Sequence, residues 1–204
     1  FLNRRFCQVL SKYTTRSGSG KSGLIEMLQP GQQVLSRSSL NVSEAGEIRA
    51  RFRVGLPANG RRIAGRAAES LLTKSMAQCV RAALVAGSWD EAAMRKHCET
   101  VQDSVALRDA LTKNDLIAFV ADGSLLPRRS GADDRPSKEQ AVAFVSPDSM
   151  RVTLDTPFSG LVSGMGISRG VTLIVGGGYH GKSTLLRAIE RGYLDHVPGD
   201  GREA

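Results

Sequence analysis

Leu2, Phe6, Val9, Leu10 and Tyr13 recur at spacings of three and four, which predicts an amphipathic helix over the first thirteen residues. A Ser- and Gly-rich loop follows at 14–23. Residues 24–28 and 33–36 flank the turn dipeptide Pro30-Gly31 and predict a hairpin. Ile48, Ala50, Phe52 and Val54 alternate with Glu47, Arg49, Arg51 and Arg53, so one strand turns an apolar face to a core and a row of arginines to solvent. Leu71, Leu72, Met76, Cys79, Val80, Ala83 and Leu84 predict a long helix over 63–86 that ends at Gly87. Asp90 stands where a second helix needs its N-cap, with Met94, Cys98, Val101, Val105 and Leu111 on one side. Residues 116–121 read as a buried strand, and 123–138, rich in Pro, Gly and charge, as a long loop. Three strand-like stretches follow near 141–145, 150–154 and 161–167. This pattern places a domain boundary near residue 140, between a mixed α+β region at 1–140 and a second region at 141–204, within an overall α/β class.

The last segment carries the most specific chemistry. Val171, Thr172, Leu173, Ile174 and Val175 form an apolar, β-branched run, residues 176–183 read Gly-Gly-Gly-Tyr-His-Gly-Lys-Ser, and helix composition continues to Arg191. Strand, G-x-x-x-x-G-K-S and helix is the order a phosphate-binding loop requires. Glycines let backbone N–H groups turn inward, lysine reaches the β- and γ-phosphates, the serine hydroxyl takes Mg²⁺, and the helix N-terminus adds partial positive charge. Nucleotide binding follows.

Charge changes the picture of the other end. The net charge is +8, and residues 1–66 hold twelve Lys or Arg against three acids, so the remainder is close to neutral. An N-terminal excess of this kind is the footprint of a polyanion-binding surface, and Arg49, Arg51, Arg53, Arg61 and Arg62, with Arg128 and Arg129 further along the chain, are its candidate contacts, to RNA if the family resemblance given below holds. Cys7, Cys79 and Cys98 are odd in number and widely spaced, with no C-x-x-C, which fits a reducing, intracellular setting rather than a disulfide framework or a zinc site. No apolar run reaches the ~18 to 20 residues of a membrane span. The absence of an initiator Met and the helix already under way at Phe1 read as a piece of a longer, soluble protein.

Three strings imitate other sites. Gly18-Ser-Gly20-Lys21-Ser22 looks like a second phosphate loop, but Thr15 stands where its first glycine should be, and no strand precedes it. Residues 116–122 resemble an NTPase strand ending in a Mg²⁺-holding acid, here Asp122, yet they precede the phosphate loop. Thr112-Lys113-Asn114-Asp115 fits the guanine-reading T-K-x-D of a circularly permuted GTPase, although the residues before it read as helix.

Residues 173–203, with the strings Gly-Gly-Gly-Tyr-His-Gly-Lys-Ser-Thr and Pro-Gly-Asp-Gly-Arg-Glu, resemble the family of predicted ATPases of the ABC class. The resemblance extends to 17–23, 54–68 and 119–131. It implies ATP and Mg²⁺ as ligands, held by Gly176, Gly177, Gly178, Tyr179, His180, Gly181, Lys182, Ser183 and Thr184, with Lys182 on the β/γ-phosphates, Ser183 on Mg²⁺ and Thr184 near the α-phosphate. It implies further that 141–204 is the first part of an ABC-type ATPase domain whose Mg²⁺-holding acid, catalytic Glu and signature segment come after Ala204, and that two copies sandwich nucleotide. The family includes a kinetoplast mitochondrial RNA-editing factor with an RNA-binding N-terminal region. The stretch 89–98 inclines the resemblance to that protozoan member, hence to a mitochondrion, and otherwise the cytoplasm is implied. Two other readings stand beside it: a circularly permuted GTPase that uses Thr112-Lys113-Asn114-Asp115 with the same phosphate loop, and a nucleotide-switched binding module without turnover.

Overall fold

The computed structural model describes residues 1–14, 18–137, 139 and 141–204. Thr15, Arg16 and Ser17 of the N-terminal Gly-Ser loop, and Lys138 and Gln140 beside the expected boundary, lie outside the described residues. In chain order the elements are α1 (Leu2–Tyr13), β1 (Ile25–Glu26), β2 (Gln33–Val34), β3 (Leu40–Val42), β4 (Ile48–Ala50), β5 (Arg53–Val54), β6 (Ala58–Asn59), β7 (Arg62–Ile63), α2 (Gly65–Ser70), a π-turn (Leu71–Ser75), α3 (Met76–Ala83), α4 (Glu91–Lys113), β8 (Leu116–Ala121), β9 (Arg151–Thr156), β10 (Gly160–Ser168), α5 (Lys182–Arg191) and β11 (Asp195–His196). The mixed α/β class holds. Two compact units emerge, Phe1–Pro30 with Ser36–Met94, and Gly31–Leu35 with Arg95–Ala204. The division thus falls in the first turn of α4 rather than near residue 140. The loop after β8 is not a linker: Gly123 N–H donates to Phe144 O (2.8 Å) and Phe144 N–H to Ser124 O (2.9 Å), which binds it to the residues that follow.

The first unit is built around α1 and α3. Phe6, Val9 and Leu10 of α1 close on Leu71, Met76, Cys79 and Ala83, with Ile48, Ala50, Phe52 and Val54 packed against them. Phe6 and Phe52 meet edge to face, ring centroids 5.5 Å apart, the arrangement aromatic quadrupoles favour. The π-turn has a packing reason. Leu71 and Met76 are five residues apart, one more than an α-turn allows, and the inserted residue keeps both on the buried stripe that Cys79 and Ala83 continue. The expected single strand over 47–54 divides into β4, paired with β3, and β5, paired with β1, while the alternation of inward apolar and outward arginine residues survives.

The hairpin expected across Pro30-Gly31 does not form. β1 pairs with β5, whereas β2 pairs with β11 in the second unit. A turn dipeptide reverses the chain, but the partner is decided by whichever edge is open.

The second unit is an antiparallel sheet in the order β8-β10-β9. Ala118, Val120, Met165 and Ile167 present one face to Leu126, Phe144 and the α5 stripe Leu185, Ala188 and Ile189. Of the three strand-like stretches, 150–154 and 161–167 become β9 and β10, and 141–145 remains extended without ladder pairing. On α4, Asp90 caps the helix through Ala93 N–H (3.0 Å). The buried residues there are Asp103, Ser104 and Leu107, while Cys98 and Val105 are exposed, contrary to the stripe expected from apolar spacing. Asp103 explains the difference, since its carboxylate accepts from Phe158 N–H (2.9 Å), Ser159 N–H (2.9 Å) and Ser159 O–H (2.6 Å) in the β9–β10 turn. Its burial is satisfied by three donors.

Candidate nucleotide site

The helix α5 begins at Lys182 with Gly181 as N-cap at φ 81°, and its first regular bond, Leu185 N–H to Gly181 O, is 2.9 Å. The amphipathic spacing that seats Leu185, Ala188 and Ile189 on the sheet fixes the helix and leaves its N-terminus, whose first N–H groups have no intrahelical acceptor, at the mouth of loop 176–181. Lys182 folds back over that mouth. Its Nζ donates to Gly176 O at 2.5 Å and also to Gly177 O. Gly176 has φ 148°, and Tyr179 stands at φ 63°, a left-handed conformation rare outside glycine, with its ring wholly in solvent. A Cβ on Gly177 would come within 3.1 Å of His180 Cε1, so the imidazole lies close along the loop.

These residues fit a nucleotide's phosphates. The mouth is lined by helix N–H groups and one ammonium, and the cradle has space that a Cβ would fill. Ser183 is exposed and Thr184 half-buried in the first turn of α5, as the ligand roles expected of them require. Among the described residues no group of three His, Cys, Asp or Glu side chains could hold a metal ion. The strand expected before the loop is not formed. Residues 171–175 pair with no strand among the described residues, and Val171, Leu173 and Val175 are exposed, because an apolar run becomes a strand only beside a neighbour.

The decoys are taken up structurally. Asp122 accepts from Ser146 N–H (2.5 Å) and O–H (2.6 Å), which holds its carboxyl below the ordinary range. Thr112 and Lys113 end α4, and Asp115 Oδ1 pairs with Arg169 Nε at 3.1 Å. In the loop at 18–23, Gly23 N–H donates to Gly55 O (2.7 Å), Ser22 Oγ accepts from Ala58 N–H (2.9 Å) and Lys21 pairs with Glu26 (3.2 Å).

Among the arginines expected to meet RNA, Arg49, Arg51, Arg53, Arg61 and Arg62 are exposed in the first unit. Arg49 lies 3.6 Å from Glu47, and Arg51 donates to Ser38 O at 2.6 Å. In the second unit Arg129 is exposed, but Arg128 is not available: its side chain is 10% exposed and forks onto Asp200 at 3.0 and 2.8 Å. Asp200 in turn holds His196 Nδ1 at 2.7 Å. Composition could not reveal this, since a buried Arg and an RNA-facing Arg read alike. Around it, Leu125 N–H donates to Gly201 O (2.9 Å) and Arg202 Nε to Leu126 O (3.0 Å), with burial and then Arg128 pushing Arg202 down to about 10. The strings at 119–131 and 198–203 are therefore one packing unit. Those at 18–23 and 55–60 are another.

Comparison with known proteins agrees with this division. Residues 1–87 match the family described as the N-terminal part of ATPases of the ABC class, and residues 90–204, more than half of the chain, match its P-loop domain. The uncharacterized protein MJ1628 of Methanocaldococcus jannaschii is 33% identical over 105 residues, covering 48% of this chain and 23% of that protein. The chain thus matches about a quarter of that curated relative's length. Among the described residues no helix is long and apolar enough to cross a membrane.

Proposed function

The chain belongs to the family of ATPases of the ABC class, and on that premise we propose that it binds ATP with Mg²⁺ through residues 176–184 and RNA through its basic N-terminal unit. The observation that carries the nucleotide half is the position of Lys182 Nζ in the mouth of the glycine loop, directly before the free N–H groups of α5. Bound nucleotide supplies the phosphoanhydride to be split and part of the coordination of Mg²⁺. With nucleotide bound, Lys182 would exchange its two carbonyls for phosphate oxygens, the helix N–H groups would hold the charge in place, and Ser183 would hold the metal. Because the chain matches only about a quarter of its curated relative, groups that activate water and close the site are proposed to be supplied by the rest of a longer protein and by a second copy.

The RNA half is supported by the exposed row Arg49, Arg51 and Arg53, with Arg61 and Arg62, in the part of the chain where the positive charge is concentrated. Contacts of this kind grip the backbone and carry little sequence information. Nucleotide binding then regulates that grip. Competition of ATP against GTP at the loop, and RNA affinity measured from 50 to 200 mM salt, test the two halves. ATP preference and a steep fall in RNA affinity with salt are expected. GTP preference, or salt-independent RNA binding, would sink the corresponding half.

A further inference from the structure

Lys182 is not the only cationic group that the phosphate loop can offer. The His180 ring lies along Gly177: a Cβ there would stand 3.1 Å from Cε1, 3.3 Å from Nδ1 and 3.5 Å from Nε2. A Cβ on Gly176 would stand 3.8 Å from Lys182 Cδ and 3.9 Å from His180 Nδ1, so the imidazole and the lysine stem border the same two glycines. The two side chains differ in what they already hold. Lys182 Nζ is engaged by the carbonyls of Gly176 and Gly177. His180 is exposed and has no hydrogen-bond or ion-pair partner among the described residues. The other group facing the ring is Lys182. On either side stand Tyr179 and Gly181, the flanking apolar run at 171–175 carries no ionisable side chain, and no carboxylate is paired with the imidazole.

We infer that His180 is a phosphate ligand of the loop, donating from its imidazole to the terminal phosphate and thereby favouring a nucleoside triphosphate over a diphosphate. This rests on the assignment of 176–184 as the nucleotide site. Histidine is the side chain whose charge changes between about pH 5 and 8, and an approaching polyanion favours its charged form. Triphosphate binding therefore takes up a proton at His180 and tightens as pH falls. A merely structural imidazole would show neither the nucleotide discrimination nor the proton uptake.

The experiment uses the full 204-residue chain, with Mg²⁺ and either a non-hydrolysable ATP analogue or ADP, by calorimetry between pH 6 and pH 8. Wild type, His180→Asn and Lys182→Ala are compared, so the nucleotide's own titration cancels. At pH 6 the His180→Asn chain should bind the triphosphate about tenfold more weakly than wild type and ADP within about twofold, the loss of one charge-assisted hydrogen bond. The difference should shrink toward pH 8, and the His180 Cε1–H resonance should titrate at higher pH with analogue bound. Equal triphosphate affinities for wild type and His180→Asn across the range would overturn the inference while leaving the loop assignment standing. Unchanged binding in Lys182→Ala would overturn the assignment and the inference together.

Discussion

Two segments of this chain carry the string Gly-Lys-Ser at the end of a glycine-rich run, at 20–22 and at 181–183. In the first, Lys21 is paired with Glu26, the Ser22 hydroxyl is buried beneath Ala58 N–H, and the backbone is bolted to 55–58 from both sides. In the second, the lysine rests on carbonyls of its own loop, the serine is exposed, and a ten-residue helix begins at the lysine. The residue types are nearly the same, so composition cannot be what separates a structural loop from one proposed to hold a ligand. The difference lies in whether the polar groups are consumed internally. A helix start leaves N–H groups that must find an acceptor, and a loop laid against its neighbour's backbone does not.

The contrast breaks most visibly at Gly55, where an added Cβ would stand 1.8 Å from Lys21 O, a backbone atom that cannot step aside. Gly55→Ala should destabilise the first unit by about 3 kcal/mol, the upper end of overpacking, and leave nucleotide affinity of the folded fraction unchanged. Urea unfolding measures the first and calorimetry the second. A loss below about 1 kcal/mol would mean that the loop at 18–23 is seated loosely and could serve a ligand after all.

The lysines give the next largest effect. Lys182→Ala should weaken Mg·ATP binding about 100-fold, the removal of strong charge-assisted bonds, with little change in unfolding midpoint because the hydrogen bonds it gives up are to carbonyls of its own loop. Lys21→Ala should leave nucleotide affinity within about twofold. Equal losses from both would show that the N-terminal loop also holds phosphate.

The serines sharpen the same difference at lower energy. Ser22→Ala strands the Ala58 amide and should cost about 1 to 2 kcal/mol of stability. Ser183→Ala should cost under about 0.5 kcal/mol, as exposed substitutions do, and instead raise the Mg²⁺ concentration needed for ATP binding. The two variants form a crossed pair, read by urea unfolding on one side and Mg²⁺ titration on the other.

The second loop was legible because its chemistry is local: glycines, lysine, serine and the helix that follows lie within sixteen residues. So was α1, whose apolar spacing names its own buried face. What failed was whatever depended on a distant partner. The run at 171–175 has the composition of a strand but pairs with no strand among the described residues. Pro30-Gly31 turns the chain, but β2 finds β11 about 160 residues away. Arg128 has the composition of a nucleic-acid contact, and Asp200, 72 residues on, takes both arms of its guanidinium. Asp103 broke the helix stripe for the same reason. Periodicity records which faces are apolar, not which buried carboxylates have three donors waiting.

The two loops share one backbone feature, and the smallest prediction uses it. Gly20 and Tyr179 both stand at φ 63° in open surroundings, one as glycine and the other as a tyrosine with its ring in solvent. Left-handed backbone costs a non-glycine residue about 1 to 2 kcal/mol, and among the described residues no atom lies within 4 Å of a Cβ at residue 20. Gly20→Ala should therefore destabilise by about 1 kcal/mol. Tyr179→Gly relieves that strain but lets the unfolded chain recover about 0.5 to 1 kcal/mol of entropy, so its net effect on stability should lie within about 0.5 kcal/mol. Urea unfolding of both variants decides the matter. If Tyr179→Gly instead stabilised by more than about 1 kcal/mol, the tyrosine would be paying in stability for a contact made only when ligand arrives, and nucleotide affinity of that variant should then fall.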